Sequence, residues 1–306
     1  MAAKIDQITD DLYLLTLVPP IPGFEAFICS WLYKGDQVFI VDVGPAVTAD
    51  DLISALQTLD VFGLDYILLT HIHLDHAGGI GEMAQAFPGT PIVCHPAGIP
   101  HLIDPTRLWQ GTLKTLGRTG EIYGPIQALA ADRLLDAARF SEADITPVMT
   151  PGHSQHHVAY RTGEYLFAGE AGGVYWAQGF EPAYLRPATP PRFFYDIYHQ
   201  SVEALLKTAP TTMCYGHYGW TTKAEDLLRQ HLDQLVLWRQ VIAAQMDQDA
   251  RDDFLPRCLA QLLQEDALLA GYYRMAPLIQ QREKGFLFNS IRGFAGYLSS
   301  GLKKGR

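Results

Sequence analysis

Six consecutive positions carry the densest chemistry in the chain: His71-Ile72-His73-Leu74-Asp75-His76. Three imidazoles and a carboxylate in one turn form a ligand set for borderline divalent metals such as zinc, iron and manganese. Eleven histidines serve 306 residues, so three within six positions is a strong local enrichment. The run Tyr66-Ile67-Leu68-Leu69-Thr70 just before it reads as a buried strand. In extended backbone, side chains at i and i+2 share a side, so His71 and His73 can grip one ion together. Asp75 and His76 open the next element and point elsewhere, which suits a second ion. Gly78 and Gly79 let the backbone pass close beneath them.

Other reactive side chains have simpler readings. Asp42 ends a buried β run just before Gly44, a place where a carboxylate orients a ligand imidazole or accepts turn hydrogen bonds. His157 reads as a buried hydrogen-bonding support for the loop at His153, and His156 as exposed. His95, His101, His199 and His231 have no ligand-like neighbours in sequence and default to core or surface roles. Cys214 reads as a buried strand cysteine rather than a thiolate ligand.

The elements that must position these groups alternate between strand and helix. Leu12–Val18, Phe27–Tyr33 and Val38–Val43 are strand-like, the last two split by the turn signal Gly35-Asp36. Helical stretches at Asp50–Leu59 and Gly79–Phe87 flank the strands Tyr66–Thr70 and Pro91–His95. Residues 96–135 are an insert with helical pieces and Gly/Pro breaks. Strands follow at Ile145–Met149, His157–Thr162, Tyr165–Ala168 and Thr212–Tyr215, with a helix near Gln200–Thr208. This is the order of a layered α/β protein. From residue 225 the pattern is helical: Leu227, Leu228, Leu232, Leu235, Val236 and Trp238 recur at helical spacing, as do apolar residues in 254–269 and 290–298. The expected organisation is an α/β domain over 1–224 and a helical subdomain over 225–306.

Four further segments stand in order around the histidine run: Val41-Asp42-Val43-Gly44, Thr150-Pro151-Gly152-His153, Leu166-Phe167-Ala168-Gly169-Glu170 and Tyr215-Gly216-His217. With His71–His76 they resemble the ordered motifs of the metallo-β-lactamase superfamily over about residues 10–220. The resemblance implies a four-layer αββα sandwich, here with a C-terminal helical subdomain. It implies one ion held by His71, His73 and His153, and a second held by Asp75, His76 and His217. The family normally supplies a bridging aspartate where this chain has Glu170, and no aspartate occurs between Ser154 and Tyr195 to replace it. A glutamate reaches about 1.5 Å further. It bridges with a bent side chain, binds one ion alone, or shifts the metal preference.

The expected cofactors are two divalent ions, zinc first, with iron or manganese as alternatives. The expected activity is hydrolysis of a small ester, thioester or lactone by a metal-bound hydroxide, with Asp75 orienting the hydroxide as well as binding metal. No G-x-S-x-G nucleophile signature is present. Two alternatives stand beside it: a mono-iron oxidoreductase of persulfide-dioxygenase type, using His71, His153 and Glu170, and a non-catalytic metal-binding sensor.

Composition sets outer bounds. A net charge of −10 repels phosphate backbones, so nucleic acid is not an expected partner. The basic tail at Lys303, Lys304 and Arg306 reads as a solvated end. No run of about 20 apolar residues would span a membrane. The absence of an export signal and the four scattered cysteines lead to a cytoplasmic expectation. The aromatics of 175–198 (Tyr175, Trp176, Phe180, Tyr184, Phe193, Phe194, Tyr195, Tyr198) read equally as packing or as a substrate wall. The C-terminal helices read as core, lid or dimer surface, which leaves a homodimer among the expectations. Phe286, Phe288 and Tyr297 are pocket candidates by the resemblance.

Overall fold

The computed structural model describes residues 2–177, 180–190, 193–246 and 253–304, the last four as backbone only. The side chains of Lys303, Lys304 and Arg306 thus lie outside the described residues.

Seven strands form the first sheet in sequence order: β1 (Lys4–Gln7), β2 (Leu12–Leu17), β3 (Ile28–Lys34), β4 (Val38–Val41), β5 (Tyr66–Leu68), β6 (Ile92–Cys94) and β7 (Leu134–Asp136). The first four are joined antiparallel, and β4 through β7 run parallel. Helices α1 (Ala49–Thr58), α2 (Leu74–Ala77), α3 (Ile80–Ala86), α4 (Ile99–Ile103), α5 (Thr106–Leu116) and α6 (Arg118–Tyr123) lie between these strands in sequence. The second half supplies β8 (Ile145–Met149), β9 (Val158–Thr162), β10 (Tyr165–Gly169), the hairpin β11 (Val174–Trp176) and β12 (Tyr184–Arg186), helix α7 (Tyr195–Lys207), β13 (Thr212–Tyr215) and β14 (Trp220–Thr221). The second sheet has the order β14-β13-β10-β9-β8, with β10 and β13 parallel. Helices α8 (Ala224–Met246), α9 (Phe254–Glu265) and α10 (Pro277–Lys304) complete the chain.

The two-residue period of the strands builds the layers. In β2, Leu12 and Leu14 face the second sheet, while Leu15 and Leu17 face helices. In β10, Tyr165 and Phe167 face the first sheet, while Leu166 and Ala168 face the other way. One core, with Trp31, Phe39, Leu68, Val93, Tyr160 and Phe167, therefore sits between the sheets. A second joins the outer face of the first sheet to α1 and α3 through Leu52, Leu56, Ile80 and Met83. The third joins the second sheet to α7–α10 through Val202, Leu228, Trp238, Leu262 and Phe294. Three cores separate four layers, the αββα arrangement with a C-terminal helical addition. Helices α8–α10 share their core with β10 and β13.

Several elements differ from the sequence reading. Strand β1 is an edge strand of sequence Lys-Ile-Asp-Gln, too short and polar to show alternation. The strand expected over Val38–Val43 ends at Val41, because Asp42 takes a left-handed backbone with φ 57°. The insert over 96–135 contains three helices and ends in β7. The Pro- and aromatic-rich segment after residue 172 holds the β11–β12 hairpin. Helix α10 runs 28 residues, far beyond the apolar stretch at 290–298. No described helix is long and apolar enough to cross a membrane.

Candidate metal centre

Parallel strands end at a common edge, and loops leaving that edge carry the reactive groups. Just past β4, the Asp42 amide donates to Leu68 O at 2.9 Å. The Asp42 carboxylate accepts from Thr70 N at 2.8 Å and from Thr70 Oγ1 at 2.7 Å, and meets His76 Nδ1 at 2.7 Å. A short polar side chain tolerates the left-handed backbone that aims it there. Of the two readings of Asp42 the geometry supports both at once: it closes the turn and fixes the His76 ring. Beyond β5, His71 precedes the single turn of α2, which begins after His73 and carries Asp75 and His76. Gly78 ends that turn. A Cβ there would stand 2.4 Å from Leu74 O and 2.9 Å from Pro45 Cα, so the loop after β4 passes beneath as the sequence required.

The second sheet supplies the other side. His153 lies in the β8–β9 connection, with Nδ1 2.7 Å from Ala188 O. Glu170 follows β10, and its amide donates to His157 Nε2 at 3.1 Å. The other His157 nitrogen must then carry the proton and donate to Thr150 Oγ1 at 2.7 Å. Burial holds His157 well below the ordinary histidine value, so it stays neutral in this role. Gly169 makes the contact possible, since a Cβ there would be 2.6 Å from His157 Nε2. His157 thus braces Glu170 and the Thr150 loop together. His217 follows β13, places Nδ1 3.1 Å from Phe27 O, and stacks on the Phe27 ring at 3.8 Å.

These loops bring all seven ligand-type residues of the sequence reading into two adjoining groups. One is His71, His73, His153 and Glu170; the other is Asp75, His76 and His217; within each, the donor atoms lie within 4.8 Å of one another. Glu170 stands between the groups. Its Oε2 is 3.0 Å from His153 Nε2, 3.5 Å from His71 Nε2 and 3.6 Å from His76 Nε2, and its Oε1 is 3.6 Å from His217 Nε2. Asp75 Oδ2 lies 3.7 Å from His217 Nε2 and 4.0 Å from His76 Nε2. The buried Nε2 atoms of His71 and His76 have no hydrogen-bond partner. The outer nitrogens of His76, His153 and His217 face oxygen acceptors, which directs each Nε2 inward.

Burial holds His71, His73 and His217 in the neutral form a ligand needs, whereas at His76 and His153 nearby carboxylates overcome burial and draw the ring toward the charged form. Burial, reinforced by His153 and His156, pushes His73 down to about 3. Burial likewise pushes His217 to about 3, against the pull of Glu170. Both are neutral imidazoles. Burial also acts downward on His76, but Asp42 and Asp75 outweigh it and favour positive charge at that ring. Glu170 resists the upward push of burial because His153 and His217 face it, and it is held well below the ordinary carboxylate value.

Some expectations need correction. His156 is half-buried rather than exposed: its ring lies parallel to His71 at 6.3 Å, and its Nδ1 accepts from Ile72 N at 3.4 Å. Cys214 is buried between the sheets with its thiol pushed up by burial, which matches the strand reading. A cavity of about 160 Å³ opens at the centre, lined by His73, Asp75, His153, Glu170, His217 and Phe286 among others. It adjoins a wider space of about 690 Å³ along α10, lined by Phe24, Leu116, Tyr123, Phe286 and Phe288. Phe286 and Phe288 line these spaces as anticipated. Tyr297 does not: its hydroxyl donates to Asp196 Oδ2 at 2.6 Å. The described aromatics of 175–198 line neither cavity. Tyr184, Phe193, Tyr195 and Tyr198 are core residues, Phe194 is exposed, and Trp176 is sandwiched between Phe180 and Tyr218. Arg186, a lining residue of the inner cavity, was not singled out from the sequence.

The profile of the Metallo-beta-lactamase superfamily matches residues 27–217, a span holding every motif described above. The chain belongs to the metallo-beta-lactamase superfamily. Among superfamily relatives, a metallo-beta-lactamase fold-containing protein of Sulfurisphaera tokodaii is 27% identical over 183 residues, covering 56% of this chain and 67% of its own length. A hydroxyacylglutathione hydrolase of Shewanella loihica is 26% identical over 206 residues, covering 67% of this chain and 66% of its own. The chain spans about half to two thirds of the length of the curated relatives it matches. The archaeal superfamily protein of Sulfolobus tokodaii has the same fold, with TM-score 0.70, 21% identity, and coverage of 94% of this chain and 99% of that one. A family protein of Thermus thermophilus gives 0.65 at 17% identity, covering 96% and 95%.

Proposed function

We propose that this superfamily member is a metal-dependent hydrolase of a small ester, thioester or lactone. Two divalent ions, zinc first, would be held by His71, His73 and His153 on one side and by Asp75, His76 and His217 on the other. Glu170 would join the two sites. The observation that carries this reading is the convergence of seven ligand-type side chains from four separate stretches, with the Nε2 atoms of His71 and His76 buried and unpartnered. Burying such atoms without a partner is costly, and a cation removes the cost. The seven-residue set fills both groups, which favours the hydrolase over the mono-iron reading.

Bound divalent ions supply an acidic water and a Lewis acid for the carbonyl oxygen. The chain supplies the rest. Asp75, whose side chain keeps 20% of its exposure and faces the cavity, accepts the proton of the attacking water. Asp42 holds the His76 ring in place from behind. The rings of Phe27 and Phe286, with Ala188 and Pro190, form the apolar side of the inner cavity and limit water around the reacting carbonyl. Relatives named hydroxyacylglutathione hydrolase support thioesters as the first class to assay.

The test is a panel of thioesters, esters and lactones with metal content measured in parallel. Chelation is expected to abolish turnover, added divalent ion to restore it, and His73→Ala to lower it by at least about a thousandfold. Turnover that survives chelation would defeat the reading. One iron per chain with substrate-dependent oxygen uptake would replace it with the oxygenase.

A further inference from the structure

Arg186 at the end of β12 is 4% exposed, yet it lines the inner cavity beside His73, Asp75, His153, Glu170 and His217. Its Nε donates to Glu283 Oε2 at 2.6 Å and its Nη1 to Pro187 O at 3.3 Å. Its Nη2 makes no hydrogen bond within the described residues. The guanidinium also lies over the Phe286 ring, 4.8 Å from the centroid. Glu283 is itself fully buried and accepts from Tyr184, Tyr218 and Arg282 as well. All three nitrogens of Arg282 are engaged, two by Glu283 and one by Gly23 O.

One carboxylate thus serves two buried guanidiniums. Glu170 lines the same cavity and is a further anion near Arg186, and ions held by Glu170 would leave that guanidinium incompletely paired. A buried, incompletely paired cation is costly unless an anion meets it. The unengaged nitrogen is Arg186 Nη2, and the space that Arg186 lines is the metal-centre cavity. Glu283 and Pro187 fix the guanidinium, so the remaining donor cannot swing toward another protein acceptor. The surrounding walls, Phe286 and Leu116, are apolar and continue into the wider space along α10.

We infer that Arg186 is an anion subsite, and that the substrate is an acyl compound bearing a carboxylate a few bonds from the scissile carbonyl. Glu283 is a positioning residue that sets the guanidinium. The inference rests on the hydrolase reading for the identity of the scissile bond, but not for the anion preference. An arginine offering one charge-assisted hydrogen bond in a buried site confers at least about tenfold preference.

Two measurements on the metal-loaded protein test this. In the first, succinyl and glutaryl thioesters are compared with the same thioesters carrying a terminal carboxamide. Wild type is expected to favour the acids at least about tenfold in kcat/KM. In Arg186→Gln the ratio is expected to collapse toward one, and in Arg186→Lys to fall in between. The ratio is read, so a general loss of activity does not obscure the result, and thermal unfolding shows which variants fold. In the second, calorimetry compares binding of succinamate and succinamide, which needs no turnover. Preference for succinamate that disappears in Arg186→Gln supports the subsite even if no thioester is hydrolysed, an outcome that would overturn the hydrolase reading alone. Equal treatment of acid and amide by wild type, or a preference that survives in Arg186→Gln, overturns the subsite.

Discussion

Two buried carboxylates each gather four basic or hydroxyl side chains, and the two gatherings differ in kind. Glu283 draws hydrogen bonds from Tyr184, Tyr218, Arg186 and Arg282 at 2.6–3.3 Å. Glu170 faces His71, His76, His153 and His217, but only His153 comes within hydrogen-bond distance and the others stand 3.5–3.6 Å away. Around Glu283 the donors bring their own protons and positive charge. Around Glu170 the inward nitrogens of His71 and His76 have nothing to bind. A carboxylate to which all four neighbours donate holds the fold together. A cluster of like acceptors around a space is arranged for something that the chain does not provide.

Substitutions can break or sharpen that contrast. The largest expected effect is at the closed cluster. Glu283→Ala leaves two guanidiniums uncompensated and is expected to cost about 3–5 kcal/mol in denaturant unfolding. Next is its pH dependence. Arg186 and Arg282 overcome burial and hold the Glu283 carboxyl below its ordinary value of 4.5. A lowered folded value means the stabilisation is complete above that ordinary value and is lost as pH falls through the folded one. The stability difference between wild type and Glu283→Gln should therefore be flat from about pH 5 to 7 and shrink on further acidification. A difference that grows toward acid would contradict the pairing.

At the open cluster, Asp42→Asn keeps the turn but weakens the hold on His76. Metal affinity, followed by chelator competition, is expected to fall about 10–100-fold while the fold survives. The smallest effect is Glu170→Ala measured without metal, expected to change stability by less than about 2 kcal/mol, because little in that cluster is bonded. The same variant should lose most of the stabilisation that added metal gives wild type. A metal-free loss as large as that of Glu283→Ala would erase the distinction between the clusters.

The open cluster was legible in the sequence and the closed one was not, for physical reasons. Metal-type residues announce themselves locally: His71, His73, Asp75 and His76 sit in one turn, and His153, Glu170 and His217 each follow a strand-like run. The alternation of strand-like and helical stretches made the layered α/β class readable, and the ordered motifs implied the αββα arrangement. Glu283 had a fainter signal. It lies in phase with Leu287, Ile291 and Phe294 on the buried stripe of α10, so a charge there needed partners. Those partners, Tyr184, Arg186 and Tyr218, lie 65 to 99 residues away in the chain, where no periodicity points to them. The β11–β12 hairpin escaped for a related reason: its short strands are separated by a long connection rather than a two-residue turn. His156 was misplaced because its shelter comes from packing against Ile72 and His71.

Helix α10 follows every other element in the chain and walls both cavities. A ribosome therefore releases Asp42, all seven ligand-type residues and both sheets before Glu283 and Phe286 emerge. The wall along both cavities is therefore synthesised after the groups that it covers.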